Sequence, residues 1–540
     1  MPTCGEYLVR LLEAYGVELI FGIPGVHTVE LYRGLPQTKI RHITPRHEQG
    51  AGFMADGYAR VTGKPGVCFI VTGPGMTNIA TAMGQAFSDS IPMLVISAVN
   101  ERATLGMGQG RLHELPSQRA LTAGVAVFSH TLLDAAQLPD VLAKAFSVFH
   151  SQRPGPVHIE IPLDVIVAEV KDEAPSAWSL PSRPAPNPES IEQAATLLAK
   201  AKRPLIVAGG GAADAASEIR QLAEKLDAPV FMTINGKGIL PPAHSLALTG
   251  NLGMAPLAAE LKAADVVLAI GTEFGETEMY PAPQPVEIRG ALIRIDIDAL
   301  MLATGVHAAV PIIADSRLAT GALLASLSTH KKEAFVPGTK RAAELRAAVS
   351  SLLWPACRTH GSLLAAITKT LPDVIIAGDQ TEPVYAANQF YQAPRPRSYF
   401  NASTGYGTLG YGMPAALGAK LGAPERPVVC LIGDGGLQFT LPELAAAVEA
   451  KIATAIIVWN NQGYGEIKNF MLERQIPTIG VDIYTPDFVG IARAMGCKAS
   501  LPVTVGELET ALSASTQEKV PTLIEIRAGS PLAKALEAGD

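Results

Sequence analysis

The segment Val428-Val-Cys-Leu-Ile-Gly433-Asp434-Gly435-Gly436 ends an apolar run on a carboxylate among glycines. Thr454-Ala-Ile-Ile-Val-Trp459-Asn460-Asn461 ends the next apolar run on two amides. Asp434 and Asn461 stand 27 positions apart, with a helix expected through Leu441 to Lys451 between them. Strand, helix and strand make a βαβ unit. If its strands lie parallel in one sheet, both side chains emerge at the same edge, where open α/β sheets take ligands. One carboxylate and one amide oxygen are hard donors, suited to Mg2+ with phosphate oxygens and water filling its remaining positions. The glycines beside Asp434 let backbone N–H groups approach a phosphate closely. Taken alone, Gly-Asp-Gly reads as a tight strand-to-helix turn. Asn-Asn at the matching strand end, followed by Gln462-Gly463, makes it a candidate metal–phosphate site.

The rest of the chain supplies elements of the same kind. It begins with the capping-box pattern Thr3-x-x-Glu6 ahead of Leu8, Leu11, Leu12 and Tyr15 at helical spacing. Apolar runs such as Val17 to Phe21, Val67 to Val71, Met93 to Ala98 and Val157 to Ile161 then alternate with helical patterns. Runs of this sort bounded by glycine or proline predict strands covered on both faces, hence parallel sheets with crossover helices. Lys171 to Asn187 and Ser328 to Gly338 read as linkers, so the expected fold is α/β, three successive doubly wound parallel-sheet domains. Their expected ranges are 1–170, 188–327 and 345–540. Of the 540 residues 48% are apolar and 17% charged, with 50 glycines and 41 prolines spread throughout, which excludes disorder, a coiled coil and a collagen-like repeat. Lys and Arg number 43 against 50 Asp and Glu, a net charge of −7, and no basic block occurs. Neither nucleic acid nor an anionic membrane surface is therefore an expected partner. No apolar stretch approaches the roughly 20 residues of a membrane span. Thr3, Glu6, Arg10 and Glu13 interrupt any signal-peptide pattern, and five scattered cysteines offer neither a disulfide framework nor zinc spacing. A reducing, cytoplasmic setting is the expectation.

Gly433-Asp434-Gly435 with Asn460-Asn461 at this distance resembles the signature of thiamine-diphosphate enzymes, nearest to the acetohydroxyacid synthase and 2-oxo acid decarboxylase superfamily. The resemblance extends over Arg46-His-Glu-Gln-Gly-Ala-Gly-Phe-Met-Ala-Asp-Gly-Tyr-Ala-Arg60 and Pro154-Gly-Pro-Val-His-Ile-Glu-Ile-Pro162, and runs nearly end to end. It implies pyrimidine-binding, central and diphosphate-binding domains in that order. Asp434, Asn461 and the Gly463 carbonyl would hold Mg2+ on the diphosphate, with Gly433, Gly435, Gly436 and Gln380 as further cofactor contacts. Glu48 would hydrogen-bond the pyrimidine N1′ and so promote loss of the thiazolium C2 proton; it should be buried. Read locally, it is an acidic residue at a helix start. In Gly405-Tyr406-Gly407-Thr408-Leu409-Gly410, Leu409 matches the apolar wedge beneath the cofactor rings. The Gly407 carbonyl matches the acceptor for the 4′-amino group. The resemblance further implies a homodimer at minimum, with a dimer of dimers plausible, because Glu48 of one subunit serves a cofactor held by another.

What such an enzyme does after a 2-oxo acid loses CO2 depends on its substrate pocket. The remaining carbon takes a proton, releasing an aldehyde, or joins a second carbonyl compound. This chain departs from acetohydroxyacid synthases where they carry pocket residues. His113 replaces an expected glutamine, Leu163 an expected lysine, and Phe274-Gly-Glu-Thr-Glu278 lacks the arginine that would clamp a second carboxylate. His27 lies where relatives place an acid/base group, and His27 or His113 could deliver a proton near pH 7. Glu466, at the start of a helix expected to approach the substrate, could receive a guanidinium tail; on local grounds it is a favourable charge in a first turn. The chain as a whole resembles the 5-guanidino-2-oxopentanoate (2-ketoarginine) decarboxylases. The leading expectation is therefore Mg2+- and thiamine-diphosphate-dependent conversion of that small-molecule acid to 4-guanidinobutanal and CO2. The alternatives are an acetolactate-synthase-like carboligase and a non-catalytic cofactor-binding subunit. FAD or an adenine nucleotide in the central domain rests only on Gly209-Gly210-Gly211, a turn common without any ligand.

Overall fold

The computed structural model describes residues 1–171, 175–280, 287–328, 336–352 and 355–539. Three six-stranded parallel sheets carry the chain. Across the first, the strands run Arg41–Ile43, Leu19–Gly22, Gly66–Ile70, Met93–Val99, Pro156–Pro162 and Phe128–Thr131. The second runs Val310–Ile313, Ala291–Asp296, Val266–Ile270, Pro204–Ala208, Val230–Met232 and Ala247–Leu248. The third runs Tyr399–Asn401, Ile375–Gly378, Val428–Gly433, Ala455–Asn460, Thr522–Arg527 and Lys498–Ser500. Central strands such as Met93–Val99 and Val428–Gly433 are buried at every position, as the unbroken apolar runs require of strands covered on both faces. The α/β expectation of three parallel-sheet domains therefore holds. Parts of both expected linkers, 172–174 and 329–335, lie outside the described residues.

By contacts the chain divides into two compact units. The first comprises Met1–Ser182, Tyr406–Leu501 and Ser513–Glu525; the second comprises Arg183–Gly405, Pro502–Leu512 and Ile526–Asp540. In the first unit the N-terminal helix Cys4–Ala14 is closed by the expected capping box. The Thr3 hydroxyl accepts from Glu6 N–H, and Glu6 accepts from Thr3 N–H. Its Leu8, Leu11 and Leu12 join Ile20, Phe69 and Ile96 in one apolar cluster. The helices Glu48–Thr62 and Gly412–Gly422 cross at backbone distance. A Cβ on Gly57 would stand 2.0 Å from the Ala415 oxygen, and one on Gly418 would stand 1.9 Å from the Met54 oxygen. A buried polar tie pins this crossing: Tyr411 Oη donates to Asp56, which also accepts from Arg60 at 2.7 Å. In the second unit, Ile206, Ala208, Leu268, Ile270 and Ile293 pack on Ala194, Leu198, Leu222 and Leu323 of the covering helices. Among the described residues, no helix is long and apolar enough to cross a membrane.

Candidate active site

Gly433 pairs with Trp459 in parallel register. Asp434 and Asn460–Asn461 therefore leave neighbouring strands at the same edge, as the βαβ reading requires. The connecting helix is found within its expected bounds, with one addition before it. The helix expected over Leu441 to Lys451 spans Glu443–Glu449, and a short helix Asp434–Gln438 that begins on the aspartate itself precedes it. Pro442 lacks the N–H that a continuous helix would use, so the chain breaks and restarts behind it.

Asp434 is 1% exposed. Burial pushes its carboxyl above the usual range, against hydrogen bonds from the Thr485 hydroxyl and the Gly435 and Asn461 backbone. A bound cation favours the ionised form of such a carboxylate. Gly463 is pinned against the segment that follows the next helix. It bridges antiparallel to Asp482, Tyr464 N–H donates to the Val481 oxygen at 2.9 Å, and a Cβ on Gly463 would meet that oxygen at 2.4 Å. Among the described residues, no group of three or more His, Cys, Asp or Glu could hold a metal. An ion held by Asp434, Asn461 and Gly463 would thus use amide and carbonyl oxygens beside one carboxylate, a set that fits Mg2+ with phosphate oxygens. Gly433, Gly435 and Gly436 form the buried turn around Asp434.

Glu48 is the first residue of its helix and is buried, 9% exposed. Asn78 Nδ2 donates to its Oε2 at 2.9 Å. The loops around it share one turn, Val71 to Gly75, at the carboxyl end of strand Gly66–Ile70. A Cβ on Gly75 would lie 3.3 Å from Glu48 Oε1, one on Gly25 would lie 2.9 Å from the Val71 side chain, and one on Gly73 would lie 2.5 Å from the His113 oxygen. Gly73, at φ 68, and His113, at φ 59, both take the left-handed conformation where they meet. This turn gathers Glu48 with the loops that carry His27 and His113. The two imidazoles stand edge to face with ring centroids 5.0 Å apart. His27 is 8% exposed, and burial, then the neighbouring His113, hold it below the ordinary imidazole range. Neither His27 Nδ1 nor His113 Nδ1 has a hydrogen-bond partner among the described residues.

Motif reading missed Glu443. Its carboxylate accepts from Arg46 N–H and His47 N–H at 3.0 Å, immediately before Glu48. Burial pushes it up to about 7, against those hydrogen bonds. A Cβ on Gly50 would stand 2.3 Å from Glu443 Oε1, which accounts for glycine at the second position after Glu48. Glu443 lies 396 positions from His47, so no local sequence pattern signals this contact.

Gly407, at φ 78, lies on an exposed stretch, Leu409 is half-buried, and Thr408 contacts Gln85 Oε1 through its hydroxyl at 3.2 Å. Glu466 is exposed in the first turn of helix Gly465–Glu473. In the second unit Gln380 follows strand Ile375–Gly378, half-buried, and accepts from Tyr385 Oη at 3.2 Å. Glu278, where a carboxylate-binding arginine was sought, is buried and accepts from Ile234 N–H at 2.7 Å. Arg294 does stand over the Phe274 ring, but its guanidinium donates to the Thr272, Thr304 and Val306 carbonyls. At Gly209-Gly210-Gly211, a Cβ on Gly209 would lie 2.1 Å from the Gly271 oxygen. Packing of the chain on itself thus requires a glycine there without any nucleotide.

Three family models match the chain: the thiamine pyrophosphate enzyme N-terminal TPP binding domain over residues 2–121, the central domain over 191–323 and the C-terminal TPP binding domain over 379–526. The chain belongs to the thiamine pyrophosphate enzymes. It is 47% identical over 528 residues to "Probable 2-ketoarginine decarboxylase AruI" of Pseudomonas aeruginosa, covering 97% of this chain and 94% of the relative. It is 35% identical over 480 residues to the acetolactate synthase isozyme 1 large subunit of Escherichia coli, covering 86% and 82%. A probable acetolactate synthase large subunit of Methanocaldococcus jannaschii is 32% identical over 548 residues, covering 96% and 91%.

Proposed function

We propose that this protein decarboxylates 5-guanidino-2-oxopentanoate without oxidation, giving 4-guanidinobutanal and CO2 with thiamine diphosphate and Mg2+. The observation that carries the substrate is the 47% identity, nearly end to end, to a protein described as a 2-ketoarginine decarboxylase. The paired imidazoles support protonation as the outcome.

When bound, thiamine diphosphate would supply an acidic thiazolium carbon and the electron sink that loss of CO2 requires. The chain's own residues do the rest. Asp434, Asn461 and the Gly463 carbonyl hold Mg2+, and the glycine turn 433–436 presents backbone N–H groups to the diphosphate. Gln380, the Gly407 carbonyl and the Leu409 side chain are assigned to the cofactor. Glu48, desolvated and steadied by Asn78, holds a proton at the pyrimidine N1′. Burial favours the neutral imidazole of His27, which can take a proton from solvent and pass one through His113. In balance, the C1–C2 bond of the oxo acid breaks, CO2 departs, and one proton ends on the former carbonyl carbon. Glu466 is assigned to the guanidinium tail. The division into domains 1–170, 188–327 and 345–540, a homodimer or dimer of dimers, and a cytoplasmic setting belong to the same proposal.

The test is a panel of 2-ketoarginine, pyruvate and benzoylformate, with CO2, aldehyde and ligation product all measured. The expected result is aldehyde from 2-ketoarginine with the highest kcat/KM. Preference for an uncharged acid overturns the substrate assignment. Acetolactate as the main product from pyruvate overturns the decarboxylase reading in favour of a carboligase, the activity named for the relatives at 32–35% identity. No turnover in cofactor-saturated protein would leave a non-catalytic subunit.

A further inference from the structure

We infer that Glu525 is a positioning residue for the metal end of the site: acting through the Asn460 side chain, it fixes the chain reversal that presents Asn461 and Gly463. The inference deepens the proposed metal site and rests on it.

Glu525 lies in strand Thr522–Arg527, 1% exposed, and Asn460 ends strand Ala455–Asn460, 5% exposed. Asn460 Nδ2 donates to Glu525 Oε1 at 2.8 Å, and Asn460 Oδ1 accepts from Gln462 N–H at 3.1 Å. The second contact is a side-chain mimic of a turn, and it falls where the chain needs one. Gln462 adopts φ 63, the left-handed region that a glutamine seldom takes without support. Asn461 is held between these bonds, and Gly463 follows directly.

An asparagine amide presents a donor on one side and an acceptor on the other, so its use depends on which way round it sits. A carboxylate only accepts. Because Glu525 Oε1 accepts from it, the Asn460 amide turns Nδ2 toward the carboxyl, which leaves Oδ1 for the Gln462 N–H. Were the amide reversed, an NH2 group would face the Gln462 N–H and the reversal would lose its support. Nothing in Gly433-Asp434-Gly435 or Asn460-Asn461 as a motif announces Glu525, which stands 65 positions from Asn460. Groups that orient a metal's ligands from behind commonly change metal affinity by about 10- to 100-fold when altered.

The test titrates MgCl2 into full-length protein at saturating thiamine diphosphate, following tryptophan fluorescence (Trp459 adjoins Asn460) and heat uptake, with thermal midpoints of the cofactor-free proteins measured alongside. Glu525→Gln removes the demand for one amide orientation, and Asn460→Asp sets two carboxylates face to face. Each should weaken Mg2+ binding by about 10- to 100-fold. The double variant Asn460→Asp/Glu525→Gln exchanges donor for acceptor across the same contact. The introduced amide would donate to one oxygen of the introduced carboxylate and Gln462 N–H to the other, so affinity should return to within about threefold of wild type. Unchanged affinity in both single variants, or no recovery in the double variant, overturns the inference; so does a lowered thermal midpoint with normal Mg2+ affinity. Where a single variant does not fold, the double variant decides alone. Failure of the wild type to take up Mg2+ with thiamine diphosphate would instead strike the proposed metal site itself.

Discussion

Two places in the first unit bring like groups together, and they treat them in opposite ways. At the start of helix Glu48–Thr62 two carboxylates meet, Glu48 on the helix and Glu443 beneath it, and both are buried. Glu443 is occupied by the backbone: the Arg46 and His47 N–H groups face its oxygens. Among the described residues Glu48 receives a single side-chain donor, Asn78. At the junction of the His27 and His113 loops two imidazoles meet, and there the Nδ1 atoms have no partner among the described residues. A buried polar group whose capacity is used by the backbone holds the fold, whereas one that keeps capacity in reserve is placed for a ligand. Glu443 belongs to the first kind, and the proposed function puts Glu48, His27 and His113 in the second.

The sharpest way to break this division is Glu48→Gln. The amide keeps the volume and accepts from Asn78, so circular dichroism and cofactor uptake should match wild type while turnover falls by at least about a thousandfold, within the range for loss of an acid/base group. Turnover within tenfold of wild type would move Glu48 to the structural side.

Glu443 should answer to pH instead. Its folded value of about 7 lies above the ordinary 4.5, so between those values the folded protein binds more protons than the unfolded chain. Stability from this group is thus fully present below about pH 4.5 and is lost as pH rises through 7. The two values differ by 2.5, which makes the loss roughly 3 kcal/mol at most. Urea unfolding from pH 4.5 to 8 should show this fall in wild type, whereas Glu443→Gln should lack it. Parallel pH profiles for the two proteins would remove the assignment.

For the imidazoles, His27→Ala and His113→Ala should each lower aldehyde formation by about a hundredfold, the lower end for proton transfer by a side chain. The acid limb of the kcat profile should shift with them while stability stays near wild type. Full turnover by both variants would remove the pair from the proton-transfer proposal.

How far this division was legible in the sequence follows from the reach of each contact. Strand-end residues are set by the chain's own periodicity, so Asp434 and Asn461 could be brought to one sheet edge from spacing alone, and the parallel register bears that out. Glu48 could be named from its motif, and its burial matches. Its neighbours could not. Asn78, Glu443 and, behind the Asn460–Gly463 loop, Glu525 act across 30, 396 and 65 positions, distances at which no local pattern survives. The helix expected through Leu441 to Lys451 is present at Glu443–Glu449; the short helix Asp434–Gln438 before it was not anticipated, because its start depends on the strand end that delivers Asp434. His27 and His113 were each flagged singly. That they meet depends on the left-handed turns at Gly73 and His113, a property of tertiary packing.

Asn78 offers the finest test of the carboxylate half of the comparison. Its amide, 2.9 Å from Glu48 Oε2, is a neutral donor to a carboxyl oxygen, and removing such a bond in a buried setting costs on the order of 1–2 kcal/mol. If Glu48 has one oxygen committed to Asn78 and the other available to the cofactor, Asn78→Ala should leave Glu48 less well aimed without abolishing its chemistry. The expected result is a fall in kcat of about tenfold, since about 1.4 kcal/mol is one decade, with KM for the oxo acid changed by less than about twofold. Asn78→Asp should do worse than Asn78→Ala, because a second carboxylate would then face Glu48 and favour holding a proton between them, away from the cofactor. Steady-state kinetics of the two variants side by side checks the order. Equal losses would mean that Asn78 merely fills space, and a loss in KM alone would place its contact on the substrate side of Glu48.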